Sequence, residues 1–124
     1  MHDNDLIERV EAMSAREIDG LPVGVITLGL DGMIRRYNRT EAEMARLDQR
    51  SQVGRNFFTE VAPCTANPEF QGRFTALAAK SSGGIETFDY TFRFAWGAQR
   101  VHITFIHKAG RDDVDVLVTR MSAE

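Results

Sequence analysis

The sequence predicts an α+β domain: one central antiparallel five-stranded sheet, helices packed on one face of it, and a helical cap at the N-terminus. Three observations carry this expectation. Phe88, Tyr90, Phe92 and Phe94 alternate with Thr87, Asp89, Thr91 and Arg93, the period of two of a half-buried strand. Strand and helix signals follow one another as two strands, several helices and three strands. The chain has 124 residues, a length at which one domain can bury a core without disulfides or metal.

The elements follow in order. From about residue 5 to 18, Leu6, Ile7, Val10 and Met13 recur at helical spacing and form one apolar stripe, with Asp3, Asn4 or Asp5 available as the cap. Residues 1–20 are read as a cap that docks on the main body, and residues 21–124 as the core. Gly20-Leu21-Pro22 ends the helix. The β-branched run of residues 23–29 is a strand, Asp31-Gly32 is a hairpin turn, and residues 33–37 return as the second strand. Asn38 with Glu41 three residues later is a capping-box pattern that opens a helix through Ala42, Met44 and Ala45. A polar connection over 47–52 leads to short helical turns over 53–61, with Phe57, Phe58 and Val61 inward. Asn67 as cap and Pro68 at the first position start the next helix, whose stripe is Phe70, Phe74, Leu77 and Ala78. Residues 80–84 end it. After the strand at 87–94, residues 95–98 are read as a loop. Val101, Ile103 and Phe105 mark the fourth strand, residues 109–113 a turn, and Val114, Val116 and Val118 the fifth strand.

Composition excludes several function classes. Fifteen Lys and Arg against eighteen Asp and Glu give a net charge of −3, and no basic face points to nucleic acid or an anionic membrane. No apolar run approaches the ~18 residues of a membrane span. The single cysteine forms no internal disulfide and suits a reducing cytoplasm, and the acidic start is unlike a signal peptide. His102 and His107 lie on strands with no Cys or carboxylate at metal-ligand spacing, and Asp112-Asp113 reads as a solvated turn.

The candidate chemistry gathers around residues 53–65, which contain that cysteine. Cys64 follows Pro63 and an apolar run, an arrangement that puts it on a tight bend at a pocket wall. It is either a small buried hydrophobe or an attachment point, the latter requiring access and a lowered pKa. No His neighbours it in sequence as the base of a thiol enzyme. Glu41 is either a solvated capping acid or a buried carboxyl, and Tyr37 either a core aromatic with its hydroxyl in water or a donor into a pocket.

The run Asn56-Phe57-Phe58-Thr59-Glu60-Val61-Ala62-Pro63-Cys64-Thr65 closely resembles the photoactive yellow proteins, or xanthopsins, a family of PAS domains. So do residues 67–74, Tyr37-Asn38 with Glu41, Phe88-Asp89-Tyr90-Thr91-Phe92, and Asp19-Gly20-Leu21 where cap meets core. The resemblance covers nearly the whole chain. It implies a PAS fold and a bacterial blue-light receptor, not an enzyme, with p-coumaric acid (4-hydroxycinnamic acid) joined as a thioester to Cys64. It assigns Tyr37 and a protonated Glu41 to the chromophore phenolate and the Cys64 N–H to the thioester carbonyl. Phe57 and Phe92 become ring contacts and Trp96 a neighbour on the 95–98 loop.

Physical chemistry supports that set. A buried phenolate needs donors, and a carboxyl keeps its proton at neutral pH only if burial raises its pKa. Isomerisation would then draw the proton from Glu41. The unpaired buried carboxylate that results is expected to drive partial unfolding, the cap first.

Three positions depart from the family: Ala45 replaces a supporting threonine, Leu47 an arginine near the phenolate (with Arg46 adjacent), and Trp96 a loop methionine. These bear on colour and recovery rate. The alternative is a PAS interaction or small-ligand module without a covalent chromophore. A flavin-binding LOV receptor is disfavoured because Gly54-Arg55-Asn56 is followed by Phe57 and not by a cysteine. With no effector domain after the last strand, the expected partner is an unidentified downstream protein, and the expected state a monomer or weak dimer.

Overall fold

The computed structural model describes residues 14–121. The apolar stripe over 6–13 therefore lies outside the described residues. A short helix α1, Ala15–Asp19, has Ser14 as its N-cap, so the helix expected from about residue 5 to 18 does not run through residue 14. Ser14 has extended backbone and forms a reciprocal capping box with Glu17, a Ser-x-x-Glu signal that the apolar periodicity masked.

Five strands follow as expected: β1 (Gly24–Gly29), β2 (Ile34–Tyr37), β3 (Gly84–Phe94), β4 (Gly97–His107) and β5 (Asp113–Arg120). They form one antiparallel sheet in the order β2-β1-β5-β4-β3. Between β2 and β3 run helix α2 (Arg39–Ala45), a π-helical turn (Phe57–Val61), a 3-10 turn (Pro63–Thr65), and a second π-helical turn (Pro68–Gly72) continuing into helix α3 (Arg73–Ala78). Asn56 and Asn67 start the two π-helical turns by accepting backbone N–H bonds.

Two details differ from the sequence expectation. Met33 is not in β2; its N–H bonds the Asp31 carboxylate at 3.0 Å, and it makes an isolated bridge to Asn56. The loop expected over 95–98 is a two-residue turn, because Phe94 and Gly97 already pair, and Gly97 supplies the φ of 154° that closes it.

The main core lies between the sheet and the segment joining β2 to β3. Phe70 is fully buried at its centre, with ring centroids of Phe57, Phe58, Phe88, Tyr90, Phe92 and Phe105 within 5.1–6.2 Å. On the opposite sheet face Ile18 packs with Val25, Ile106 and Leu117. That is why β1 is buried along its whole length. Among the described residues no helix is long and apolar enough to cross a membrane.

Candidate functional site

One end of the site is built where α2 meets the sheet. Asn38 caps α2 by accepting the Glu41 N–H at 3.0 Å, and the same oxygen accepts the Val25 N–H at 2.9 Å. The reciprocal half of the expected capping box is absent. The Asn38 N–H that a Glu41 carboxylate would accept is already donated to the Val25 carbonyl at 3.0 Å. Glu41 instead turns inward, is 3% exposed, and meets Arg120 from the end of β5 in a two-pronged pair, Nη1 to Oε1 and Nη2 to Oε2, the latter at 3.1 Å. Gly24 makes room for the carboxyl group: a Cβ there would stand 2.1 Å from Oε1. Arg120 is held from behind, its Nε donating to Gln99 Oε1 at 2.9 Å, while Gln99 Nε2 donates to the Met44 carbonyl at 2.8 Å.

Burial pushes the Glu41 carboxyl above its ordinary range, and the Arg120 hydrogen bond and charge pull it back part of the way. Tyr37 is also buried. Its hydroxyl is pushed up by burial first and by the Glu41 charge second, with Arg120 opposing. No hydrogen-bond partner meets that hydroxyl among the described residues. A buried donor left unsatisfied is costly and marks where an acceptor belongs.

The other end is Cys64, half-buried on the 3-10 turn as the Pro63 bend implied. Its carbonyl oxygen accepts from the Tyr90 hydroxyl at 2.5 Å and from Asn67 Nδ2 at 3.0 Å. Its Sγ accepts from the Arg93 N–H at 3.4 Å. A cavity of about 390 Å³ opens beside the thiol, lined with polar groups that include Asn67, Tyr90 and Arg93. Between the two ends Phe57 and Phe92 are buried, and Tyr37 and Cys64 both border this apolar cluster. The same apolar cluster thus borders a thiol that can take an acyl group and a buried hydroxyl donor that lacks an acceptor.

Trp96 sits further out. It is 39% exposed and stacks on Phe94 at 5.1 Å, which in turn lies 5.7 Å from Phe92. Arg46, the left-handed C-cap of α2, lies over Trp96 at 4.0 Å. Arg46, although adjacent to Leu47 in sequence, does not face Glu41: its guanidinium lies over an exposed ring. The cation facing Glu41 is Arg120. The sequence reading missed it, although the alternation that puts Val114, Val116 and Val118 inside also puts residue 120 on that face. It missed Gly24, Gln99, Asn67 and Tyr90 as well; none carries a local signal beyond strand or cap position.

His107 is buried between the carbonyls of Leu77 and Arg111, and His102 pairs with exposed Asp89. Among the described residues no group of three potential ligands could hold a metal.

The chain is similar to known proteins over most of its length. No protein-family model matches the chain. It is 35% identical over 111 residues to photoactive yellow protein of Halochromatium salexigens, covering 89% of this chain and 86% of that protein. It is 30% identical over 119 residues to photoactive yellow protein of Rhodothalassium salexigens, covering 95% and 94%. Among solved structures, the photoactive yellow protein domain of the sensor histidine kinase Ppr from Rhodospirillum centenum superposes with a TM-score of 0.80 at 40% identity, covering 90% of this chain and 96% of that one. The PAS domain of an HTR-like protein from Haloarcula marismortui, at 17% identity and a TM-score of 0.67, shares the fold.

Proposed function

This chain belongs to the photoactive yellow protein family, and on that premise we propose that it is a blue-light receptor carrying p-coumaric acid as a thioester on Cys64. At the coarser level it is a PAS-fold sensory domain of photoreceptor type and not an enzyme. The single observation that carries the finer reading is the buried Tyr37 hydroxyl, unpartnered among the described residues, beside a buried Glu41 and on the same apolar cluster as the Cys64 thiol. When bound, p-coumaric acid supplies the visible absorption and the double bond whose isomerisation moves its phenolate.

The chain's own residues do the rest. Cys64 Sγ would hold the acyl carbon, and the Cys64 N–H would serve as donor to the acyl oxygen. Tyr37 donates its hydroxyl proton into a hydrogen bond that favours the phenolate. Glu41, its pKa raised by burial, donates a second and holds a transferable proton. Phe57 and Phe92 exclude water from the ring.

Loss of the Glu41 proton changes the charge three residues from Asn38, whose Nδ2 holds the Ile18 carbonyl at 3.0 Å. The start of α2 grips that segment elsewhere too: Arg39 N–H bonds Asp19 at 2.9 Å, and Thr40 Oγ1 bonds the Leu21 carbonyl. Loosening of this grip, partial unfolding that begins in a cap of residues 1–20 and leaves a core of 21–124 intact, is the proposed signal. We place the protein in the cytoplasm, as a monomer or weak dimer, read by a separate signalling protein and not by nucleic acid or a membrane.

The test is an absorption spectrum after mixing purified protein with activated p-coumaric acid, beside Cys64→Ala. A band well to the red of the free acid, bleached by blue light and restored in the dark, is expected for the native chain alone. A mass increase without that band would mean that the Tyr37–Glu41 end does not hold an anion. No adduct would leave a PAS interaction or small-ligand module.

A further inference from the structure

We propose that Arg120 is a second partner built in for Glu41: a positioning residue onto which the carboxylate closes whenever its proton leaves, so that the deprotonated site is paired and not bare. The inference rests on the function proposed above. It departs from the sequence-based expectation that proton loss creates an unpaired buried charge.

The geometry is specific. Both guanidinium prongs reach both carboxylate oxygens, and the Arg120 side chain is only 12% exposed. Gln99 and the Met44 carbonyl orient the guanidinium independently of Glu41, so the receptor for the carboxylate is preset. Gly24 keeps the carboxyl group free of side-chain obstruction from β1. Arg46, the other arginine at this end of α2, is stacked on Trp96.

The charge balance favours the same device. With Glu41 neutral, the fixed charge of Arg120 offsets a phenolate. With Glu41 ionised and the phenolate protonated, Arg120 offsets the carboxylate. The proton moves between a Glu41 oxygen and the phenolate oxygen, and Arg120 keeps its own throughout. Either arrangement is neutral; without Arg120 either one buries a net negative charge, which is strongly disfavoured. The two states differ in contact and not in net charge: the guanidinium bonds the Glu41 carboxylate directly through both prongs, so the light-adapted form, in which that carboxylate is ionised, gains the ion pair, its return to the dark form is slowed, and its unfolding is moderated.

The experiment uses the full chain with Arg120→Gln, Arg120→Lys and Glu41→Gln. In the chromophore-free protein, a urea double-mutant cycle of Glu41→Gln with Arg120→Gln reads the coupling of the pair directly. After loading with activated p-coumaric acid, dark recovery is timed, and amide hydrogen exchange over residues 14–25 is compared in light and dark. Arg120→Gln is expected to speed recovery about tenfold or more, since breaking one side of a buried pair is strongly unfavourable, and to enlarge the light-induced exchange. Arg120→Lys, which keeps the charge but loses the fork, should fall between; it is the working variant if Arg120→Gln does not fold. A coloured, photocycling Arg120→Gln (or, in its place, Arg120→Lys) whose recovery stays within about twofold of the native chain overturns the inference and leaves the photoreceptor reading standing, as does a cycle without coupling. A native chain that takes no chromophore overturns both, and coupling in the cycle then makes the pair a structural brace.

Discussion

The two ends of the site are made of opposite materials. At the Tyr37 end the groups are buried, the charged pair Glu41–Arg120 is held by partners from α2, β4 and β5, and the Tyr37 hydroxyl alone has no partner among the described residues. At the Cys64 end the thiol is half-buried, its carbonyl is held by the neutral groups of Tyr90 and Asn67, and an open polar cavity adjoins it, whose lining includes Glu69, Asp89 and Arg93. The difference separates two tasks. An attachment residue needs access from solvent and little else, whereas a site that stabilises an anion needs low dielectric and preset donors. Changes at the first end should therefore disturb protonation and stability together, and changes at the second should disturb attachment and local hydrogen bonding without moving the protonation.

Cys64→Ala makes the largest break. It should abolish loading, read as the loss of the mass increment. Stability should change by less than about 1 kcal/mol in urea, because a half-exposed thiol buries little that alanine does not. A strongly destabilised variant would mean that Cys64 is a core residue first. At the opposite end, Gly24→Ala should destabilise by about 1–3 kcal/mol, the usual range for forcing extra volume into a packed interior. Its new Cβ would meet Glu41 Oε1 at 2.1 Å and the Glu41 Cβ at 3.1 Å. The stiffening that usually favours Ala over Gly in a strand is too small to offset this. An unchanged urea midpoint would show that Glu41 can leave its pocket freely.

A pH series sharpens the contrast. The folded-state pKa of Glu41 lies above its ordinary value of 4.5 because of burial, with Arg120 opposing. The folded chromophore-free protein therefore binds the Glu41 proton more tightly than the unfolded chain does. Its contribution is fully present below about 4.5 and declines as pH rises from there through the raised folded value. The difference in stability between the native chain and Glu41→Gln should follow that fall, and in an Arg120→Gln background it should be steeper. A flat difference would mean that Arg120 cancels the burial effect completely. Tyr90→Phe belongs to the other end and removes two hydrogen bonds, the donation to the Cys64 carbonyl and the acceptance from Asn67 Nδ2 at 2.6 Å; it should cost about 1–3 kcal/mol, with Asn67 still donating to the Cys64 carbonyl.

The same contrast explains what could be read in advance. Strand alternation exposed the sheet and most of the core, because Phe88 to Phe94 and Val114 to Val118 each carry their own period. The Cys64 end was legible as well: Pro63 forces the bend and Asn67-Pro68 starts the next turn within a few residues. The Tyr37 end was legible only in part. Glu41 looks like a capping acid until the sheet bond from the Asn38 N–H to the Val25 carbonyl is known, and that bond depends on residues 13 apart. Arg120 lies 79 positions from Glu41, and nothing local announces their meeting. Ser14 was hidden for a different reason: a capping box inside an apolar periodicity reads as helix interior unless the cap is weighed first.

Arg46 offers the finest test, because sequence position and spatial position disagree about it. In sequence it adjoins Leu47, where the family carries an arginine near the phenolate. In space its guanidinium covers Trp96, at the exposed end of the aromatic row that runs inward through Phe94 to Phe92. An exposed cation–π contact contributes about 0.5–1 kcal/mol, so Arg46→Gln should lower stability by no more than that. If charge at the Tyr37 end sets the colour, Arg46→Gln should leave the absorption band in place while Arg120→Gln moves it towards the protonated form. The exposed Arg46 is solvent-screened, and Arg120 is not. A shift of equal size in both variants would mean that the loop carrying Trp96 folds inward over the loaded site, and the division into a buried electrostatic end and an open attachment end would then have to be redrawn.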